Sequence, residues 1–258
     1  MKIAVLVKEV PDTYGERRLN LETGIADRAA SDSVLDEIGE RAMEVALSYA
    51  DAHPETEIVV ISMAPESAAS TVRKGLAMGA TSAIQVVDED LLGADLGLTA
   101  ETLAAAITQV GPDLVIAGNQ STDGTGGVIA AMVAEILDFP HLTNLTQVEI
   151  TEAGVLGVRA SDHGTMELKA ALPAVISITE SFPDGRFPNF KGIMAAKKKP
   201  LEILSLGDLG IDPLDSSASR SIMLAVSEKP PREAGIKITD EGDAGIRLAN
   251  FLSENRLA

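Results

Sequence analysis

The sequence contains no cysteine and no tryptophan, and aromatic residues make up only 3% of its 258 positions. Without thiols the chain has no disulfides, thiolate metal sites or iron–sulfur ligands, and it has no cysteine nucleophile. Any redox chemistry in which it takes part must therefore come from a bound cofactor.

Basic residues are also scarce, with 21 lysines and arginines against 39 acidic residues and a formal charge of -18. So acidic a chain repels nucleic-acid backbones and anionic membranes, so we expect neither nucleic acid nor membrane as a partner. The start of the chain has a short apolar run that meets Pro11 and Asp12 at once, which fits neither a signal peptide nor a membrane span. These features predict a cytoplasmic protein, although an organelle matrix fits them as well.

Sites for metals and for hydrolysis are not evident. The three histidines, His53, His141 and His163, are far apart in sequence and have no clustered carboxylates, so we interpret them as solvated turn residues and expect no metal. No Gly-x-Ser-x-Gly elbow or Ser-His-Asp constellation indicates a hydrolase.

Short β-branched apolar runs alternate with helical patterns in the first half of the chain, which predicts βαβ units and a parallel sheet. From Gln147 the pattern changes to alternating runs that predict antiparallel hairpins. The predicted strands are 2–8, 57–62, 83–87, 113–117 and 174–178, and the predicted helices are 34–50, 67–78, 98–110 and 128–137.

The chain is expected to have two parts, an α/β domain at 1–204 and an extended arm at 205–258. Residues 180–200 read as a loop, and 205–235 reads as extended because it has little periodicity. Thr239, Asp240 and Glu241 offer a capping start for a closing helix. Its apolar stripe would need a partner subunit to pack on, and it comprises Ile246, Leu248, Ala249 and Leu252.

A glycine-rich loop at 118–127 follows the fourth predicted strand and leads into a helix that starts near Val128. Glycines allow close backbone approach, and the free amides of a helix N-terminus favour an anion. The loop is not a P-loop, and the dinucleotide fingerprint is absent after the first strand. The pattern predicts a phosphate site, with a merely flexible turn as the alternative.

The loop at 180–200 holds two further features that attract attention. Phe182, Phe187 and Phe190 are large apolar groups, and they either anchor another protein or pack into this chain's own core. The basic run 197–199 reads as the solvated end of a strand.

Several segments taken together resemble the electron transfer flavoprotein beta subunit family. The most specific are LPAVISI at 172–178 and GIMAAKKKP at 192–200. The resemblance is strong over about residues 1–200 and weaker in the tail, and its other segments are VKEVPDT at 7–13, DEIGERAMEVAL at 36–47, GLAMGAT at 75–81 and GNQSTDGTGG at 118–127.

The resemblance implies an adenine nucleotide alpha-hydrolase-like (Rossmann-like) parallel sheet with added antiparallel hairpins and an extended C-terminal arm. It implies AMP as a structural ligand between the ends of the first and fourth strands and the glycine loop. The matching positions run to Ala131, and the cofactor-binding residues it implies are Leu6, Asp36, Glu37, Ile38, Gly39, Met63, Gly118, Asn119, Gln120, Ser121, Thr122, Asp123, Gly124, Thr125, Gly126, Gly127 and Val128.

The resemblance also implies an electron carrier subunit that turns over no substrate alone. FAD would be held mainly by an alpha subunit and approached by Tyr14, or by Thr13 if the family's aromatic position lies one place earlier. Electrons would come from acyl-CoA dehydrogenases of fatty acid beta-oxidation and related flavin dehydrogenases, and would leave through an ETF-quinone oxidoreductase toward the respiratory chain.

The partner-binding residues implied by the resemblance lie mainly in the loop before the basic run. Phe190 would be the anchor, where the family commonly has Leu, and Glu167 would help to position the mobile flavin domain. The other partner-binding residues are Phe187, Lys191, Ile193 and Met194.

Three alternatives stay open from the sequence. A bifurcating relative in the same family would carry a second FAD in place of AMP. A universal-stress-like nucleotide-binding protein shares the βαβ pattern, and an ATP pyrophosphatase shares the fold but needs a Ser-Gly-Gly-x-Asp-Ser loop that is absent after the first strand.

Overall fold

The computed structural model describes residues 1–15, 17–215 and 217–257. The chain divides into two compact units, Met1–Ala225 and Val226–Ala258. From the sequence, the extended arm is expected to start at residue 205, which differs from this division into compact units. The arm at 205–258 stays a prediction.

Nine strands of the described residues form one sheet, and two short strands pair separately. The strands are β1 (Lys2–Leu6), β2 (Glu9–Pro11), β3 (Ser33–Leu35), β4 (Glu57–Met63), β5 (Ser82–Val86), β6 (Leu114–Gly118), β7 (His141–Ile150), β8 (Gly154–Ser161), β9 (Gly164–Ala171), β10 (Ala174–Ile178) and β11 (Leu201–Leu204). The sheet order is β11-β5-β4-β1-β6-β10-β7-β8-β9, and β2 pairs with β3. Strands β11 to β7 in this order are parallel, while β8 and β9 are antiparallel.

Helices cover both faces of the parallel part of the sheet. Side chains alternate along β1, so Ile3 and Val5 pack in one core cluster with α1 and α2, while Ala4 and Leu6 pack in another with α3 and α4. The helices of the described residues are α1 (Glu37–Ala52), α2 (Ala69–Met78), α3 (Leu96–Val110), α4 (Ile129–Leu137), α5 (Phe190–Ala196) and α6 (Ala244–Glu254). The α/β class, the parallel sheet and the added hairpins are confirmed.

Three sequence-based predictions about individual elements were wrong. The first helix begins at Glu37 rather than Val34, because β3 pairs with β2 up to Leu35 and Asp36 caps the helix. The loop predicted over 180–200 contains α5, which Asn189 caps by accepting a hydrogen bond from the Gly192 amide at 2.8 Å. The basic run follows this helix instead of ending a strand.

The second unit contains α6, which begins at Ala244 and lies three residues beyond the predicted capping segment. Asp240 Oδ1 accepts from the amides of Gly242 and Ala244, so the turn is held by Asp240 but the helix starts later. Ile246 and Leu248 are exposed. Within the described parts of the chain, the helices are too short or too polar to cross a bilayer.

Candidate functional site

The candidate site lies where the chain changes direction across the sheet. Strand β1 lies between β4 and β6, and all three run parallel, so Leu6, Met63 and Gly118 end at the same edge. In chain order, β4 and β5 are added on one side of β1. The next strand, β6, is added on the opposite side of β1. In open α/β sheets such a switch point leaves a crevice at the carboxyl ends of the strands, where ligands bind.

Asp36 joins helix α1 to the glycine loop. Its side chain is buried and accepts from the Ile38 amide at 3.4 Å as the helix cap, and from the Thr122 amide at 2.9 Å. Burial raises the pKa of Asp36, and the two amide hydrogen bonds oppose this effect without cancelling it. The predicted segment 36–39 and the predicted loop are therefore in direct contact.

The glycine loop is tightly packed at its start and strained in its middle. A Cβ on Gly118 would lie 2.1 Å from Ile38 Cγ2, so only glycine allows α1 to pack here. Thr125 and Gly127 have φ values of 50° and 68°. A β-branched residue in the left-handed region is costly, on the order of 1–3 kcal/mol, and such strain is typical of ligand-binding loops.

The last residues of this loop offer free hydrogen-bond donors. Within the described residues, the amides of Gly126, Gly127 and Val128 have no protein acceptor. Val128 is the N-cap position of α4, and its side chain caps nothing. The exposed amides and the positive end of the helix dipole together form a cradle suited to an anion.

Charged side chains close the same loop from the other side. The Asp123 carboxylate accepts hydrogen bonds from Lys8 Nζ at 2.8 Å and from Arg28 Nη2 at 3.1 Å. The Asp123 side chain itself is almost fully buried. Burial alone would raise the pKa of Asp123, but hydrogen bonds from Lys8 and Ser121 and the lysine charge outweigh it and hold that pKa well below its usual range. Arg17 also donates to the carbonyl of Thr122.

The charged side chains and the backbone amides of the loop have different roles. Lys8 and Arg28 share the single carboxylate of Asp123, whereas the loop's last backbone amides have no acceptor among the described residues and are the free donors for a phosphate. The buried or half-buried side chains of Leu6 and Met63 provide an apolar wall at the adjoining strand ends. The arrangement suits an anion at the loop beside an apolar surface, and the nucleotide itself stays a prediction.

Two predicted cofactor residues have a different setting. Tyr14 is 100% exposed in a turn after β2, and Glu37 is exposed in the first turn of α1. Neither side chain is buried in the crevice.

Two surface clefts lie away from this crevice. One, of about 290 Å³, is lined by Arg41, Tyr49, Val148 and Phe182, and the other, of about 560 Å³, lies near Met1 and Asp113. The second is at the amino ends of the strands. Neither contains the glycine loop, and neither collects a set of groups that would perform chemistry, so we assign the site by the loop geometry.

The predicted partner-binding residues form a separate surface on α5 and the turn before it. Phe187 is 93% exposed and Phe190 is 79% exposed, and Ile193 and Met194 are also exposed. Phe182 is half-buried against the main core cluster instead. The structure thus resolves the two readings of these aromatics, since one packs on the chain's own core and two face outward.

The other predicted partner residues are on the surface as well. Lys191 is exposed in the first turn of α5, and Glu167 is exposed on β9 opposite Val158 of β8. Glu167 belongs to the antiparallel hairpins at the far end of the sheet from β11.

Sequence reasoning missed several residues that shape these sites. Lys8 lies two residues beyond the end of β1, and a cation just after a buried strand was a usable signal. No sequence signal marked Arg28 and Arg186, because their partners are 95 and 142 positions away along the chain. Lys199 was expected to be solvated, but its Nζ donates to the carbonyls of Leu76 and Ala80 at the end of α2.

Comparison with known proteins identifies the family of the chain. The family described as "Electron transfer flavoprotein domain" matches residues 23–209. The chain is 43% identical to the electron transfer flavoprotein subunit beta of Mycobacterium tuberculosis strain H37Rv, covering 99% of this chain and 98% of the relative. It is 35% identical to that of Syntrophomonas wolfei, over 98% and 96% of the two chains.

A further relative is named as a subunit of a larger complex. The chain is 32% identical to the caffeyl-CoA reductase-Etf complex subunit CarD of Acetobacterium woodii, over 91% of this chain and 90% of the relative. These matches do not support the universal-stress and ATP pyrophosphatase alternatives.

Proposed function

The chain belongs to the electron transfer flavoprotein family as a beta-type subunit, an electron carrier that implies an alpha subunit as partner, and on that premise we propose a specific role for it. In this role the alpha–beta dimer accepts electrons from acyl-CoA dehydrogenases and related flavin dehydrogenases. It passes them through an ETF-quinone oxidoreductase toward the respiratory chain. We place this activity in the cytoplasm, and we propose that the chain alone turns over no substrate.

The observation that carries the nucleotide part of the proposal is the row of unpaired amides at Gly126, Gly127 and Val128. We propose that they hold the phosphate of AMP, with Leu6, Met63 and the segment 36–39 around the rest of the nucleotide. The remaining loop residues, 118–125, would shape the cradle. AMP would act as a structural ligand that stabilises the loop in one conformation.

FAD would supply the redox chemistry when bound, held mainly by the alpha subunit. The contribution of this chain would be to shape one wall of that site and to exclude water. Tyr14, fully exposed after β2, is the residue we propose to approach the isoalloxazine, and Glu167 is proposed to help position the alpha subunit's flavin domain by a charge pair.

The exposed aromatics on and before α5 support a docking role. Phe190 is proposed as the anchor that enters an apolar pocket on a dehydrogenase, with Phe187, Lys191, Ile193 and Met194 around it. The arm at 205–258 is proposed to pack on the alpha subunit, which would cover exposed apolar residues such as Ile236 and Ile246.

The proposal is tested by purifying the chain together with its alpha subunit and identifying the bound nucleotides by mass after release. We expect one FAD and one AMP per heterodimer. A heterodimer free of any adenine nucleotide in this subunit, confirmed with added AMP, would contradict the assignment of the loop.

A second candidate is the bifurcating type, with a second FAD in place of AMP. Its support in this chain is the set of exposed glycines at 124, 126 and 127, which leave room at the loop. The same measurement separates the two, because this type would release two FAD and no AMP.

A further inference from the structure

The segment that carries the proposed anchor is held from behind by an arginine. This docking segment, residues 182–196, follows β10 and includes α5. The Arg186 side chain turns back to Glu44 of α1, with Nε 2.8 Å from Oε2 and Nη2 2.7 Å from Oε1. Its backbone amide donates to the same carboxylate at 2.9 Å, so main chain and side chain are fixed together.

A second carboxylate extends this contact. Arg186 Nη2 also donates to Asp51 Oδ2 at 2.9 Å, about two turns further along the same face of α1. These contacts raise the pKa of Arg186, through Glu44 first and Asp51 next. Burial acts to raise the pKa of Glu44, but its hydrogen bonds to Arg186 lower it below the ordinary value. The three groups therefore stay charged and paired through the neutral range.

Close backbone packing surrounds the arginine. A Cβ on Gly185 would lie 2.9 Å from the carbonyl oxygen of Glu40, so the segment touches α1 directly at this point. Arg41 of α1 reaches the carbonyl of Phe182 and the carboxylate of Asp184. The chain entering Phe187 is thus bound to α1 on successive residues.

The helical half of the segment is fixed on α2. A Cβ on Gly192 would lie 2.4 Å from the carbonyl oxygen of Ala77, and Arg73 Nη1 donates to the Ala196 carbonyl at 2.8 Å. Phe187 and Phe190, in contrast, have their side chains almost entirely in solvent. Their arrangement is set by the backbone beneath them rather than by their own packing.

We propose that Arg186 is a positioning residue for docking: by pinning the backbone before Phe187 to Glu44 and Asp51, it orders the docking segment before a partner arrives. The inference rests on the proposed docking function. Its physical basis is that a segment already ordered loses less conformational freedom on binding, which strengthens association without a new contact.

The test is a double-mutant cycle on the purified heterodimer, with the rate of reduction by an acyl-CoA dehydrogenase measured against heterodimer concentration. We expect Arg186→Met to raise KM for the heterodimer by roughly three- to tenfold with kcat nearly unchanged. Arg186→Lys, which keeps the charge but loses the two-pronged contact, should fall between this variant and the wild type. Lys2→Met, which breaks a cation–carboxylate pair with Glu57 outside the docking segment, the arm and the glycine loop, is the control and should leave KM unchanged.

The decisive arm combines Arg186→Met with Phe190→Ala. If Arg186 acts by placing Phe190, its effect on KM disappears once Phe190 is truncated. Effects that multiply independently would overturn the positioning role while leaving the docking function intact. A Phe190→Ala variant with wild-type KM would overturn the docking function and this inference with it.

Asp51→Asn is a less disruptive variant for the same test if Arg186→Met fails to assemble with the alpha subunit. It replaces one of the two acceptor oxygens of Asp51 and removes its charge while keeping the Glu44 contact, and we expect a smaller rise in KM that Phe190→Ala again abolishes. FAD content and the thermal midpoint are measured for every variant. An unchanged KM in Asp51→Asn together with an unchanged KM in Arg186→Lys would also overturn the inference.

Discussion

The glycine loop and the docking segment prepare for binding in opposite ways. At the loop, the side chains of Lys8 and Arg28 pair with Asp123, and the backbone amides at 126–128 are left free among the described residues. In the docking segment, the backbone is fixed by α1 and α2, and apolar side chains are left free. A small anion requires directed donors, whereas a protein pocket requires exposed apolar volume.

The comparison teaches that each site is defined by what the fold leaves unpaired. The two regions also share α1, since Asp36 at its start holds the loop and Glu44 and Asp51 further along hold the docking segment. A change that damages one region and spares the other supports two separate sites. A change that damages both would indicate that α1 couples them.

The largest effect is expected from Gly118→Val. Its side chain has no space beside Ile38, which is itself buried, so the start of α1 and the glycine loop must shift. We expect a loss of about 1–3 kcal/mol in the free energy of unfolding and loss of most of the bound nucleotide. Urea unfolding and mass analysis of released nucleotides measure both.

Gly111→Ala is the control for this substitution. Gly111 caps α3 with φ 58° and has open space around it, so alanine there strains the backbone away from the loop. We expect a loss of about 1 kcal/mol with nucleotide content retained. If Gly118→Val kept its nucleotide, the loop would not be the binding site.

Phe190→Ala should give the next largest effect, confined to docking. Truncating an anchor of this size typically costs about 2 kcal/mol or more, which corresponds to roughly a 30-fold weaker association with the dehydrogenase. Heterodimer yield, FAD and AMP should stay unchanged, because the side chain is exposed and contributes little to the core. Phe182→Ala is the contrasting variant, and it should lower stability because Phe182 packs against the main core cluster. Wild-type association by Phe190→Ala would contradict the anchor assignment.

The sequence predicted the parts of both regions that depend on local pattern. The apolar runs predicted β1, β4, β5, β6 and β10, and the order of strand, glycine loop and helix predicted the anion site. Helix α5 was missed because it has only seven residues, contains Gly192 and follows Pro188. Its stability comes from packing on α2 rather than from helix propensity.

The ion pairs could not be predicted for a different reason. Arg28 with Asp123 and Arg186 with Glu44 are brought together by the topology of the sheet, and each residue alone reads as a solvated surface charge. Lys199 shows the same limit, since a basic run gives no sign of which lysine meets the end of a helix.

Asp123→Asn tests the charge arrangement at the loop and should have a moderate effect. The pKa of Asp123 is held below its ordinary value, so its carboxylate stabilises the fold above the unfolded pKa of about 3.9, and this contribution is lost as pH falls through the folded pKa. We expect the variant to be about 1–2 kcal/mol less stable than wild type at neutral pH. The difference should shrink as pH falls below about 4.

Urea unfolding between neutral and acid pH measures this difference, and Asp162→Asn, in the exposed turn between β8 and β9, is the control that should change stability by less than about 0.5 kcal/mol. Nucleotide content should persist in Asp123→Asn, because the proposed phosphate donors are amides. A stability difference that stayed constant into acid would contradict the pairing of Asp123 with Lys8 and Arg28.

The smallest effect is expected from Lys199→Met, which separates a structural lysine from its solvated neighbours. Lys199 Nζ donates to the carbonyl of Leu76 at 3.0 Å and also to that of Ala80, so it satisfies carbonyls left free where α2 ends. Loss of these bonds should lower the free energy of unfolding by about 1 kcal/mol, while Lys198→Met, with an exposed side chain, should change it by less than about 0.5 kcal/mol. Because α2 supports α5, Lys199→Met should also weaken docking slightly and leave the nucleotide unchanged. Equal stability of the two variants would mean that Lys199 does not cap α2, and the charged contacts between the docking segment and the helices beneath it would then come from Arg41, Arg73 and Arg186.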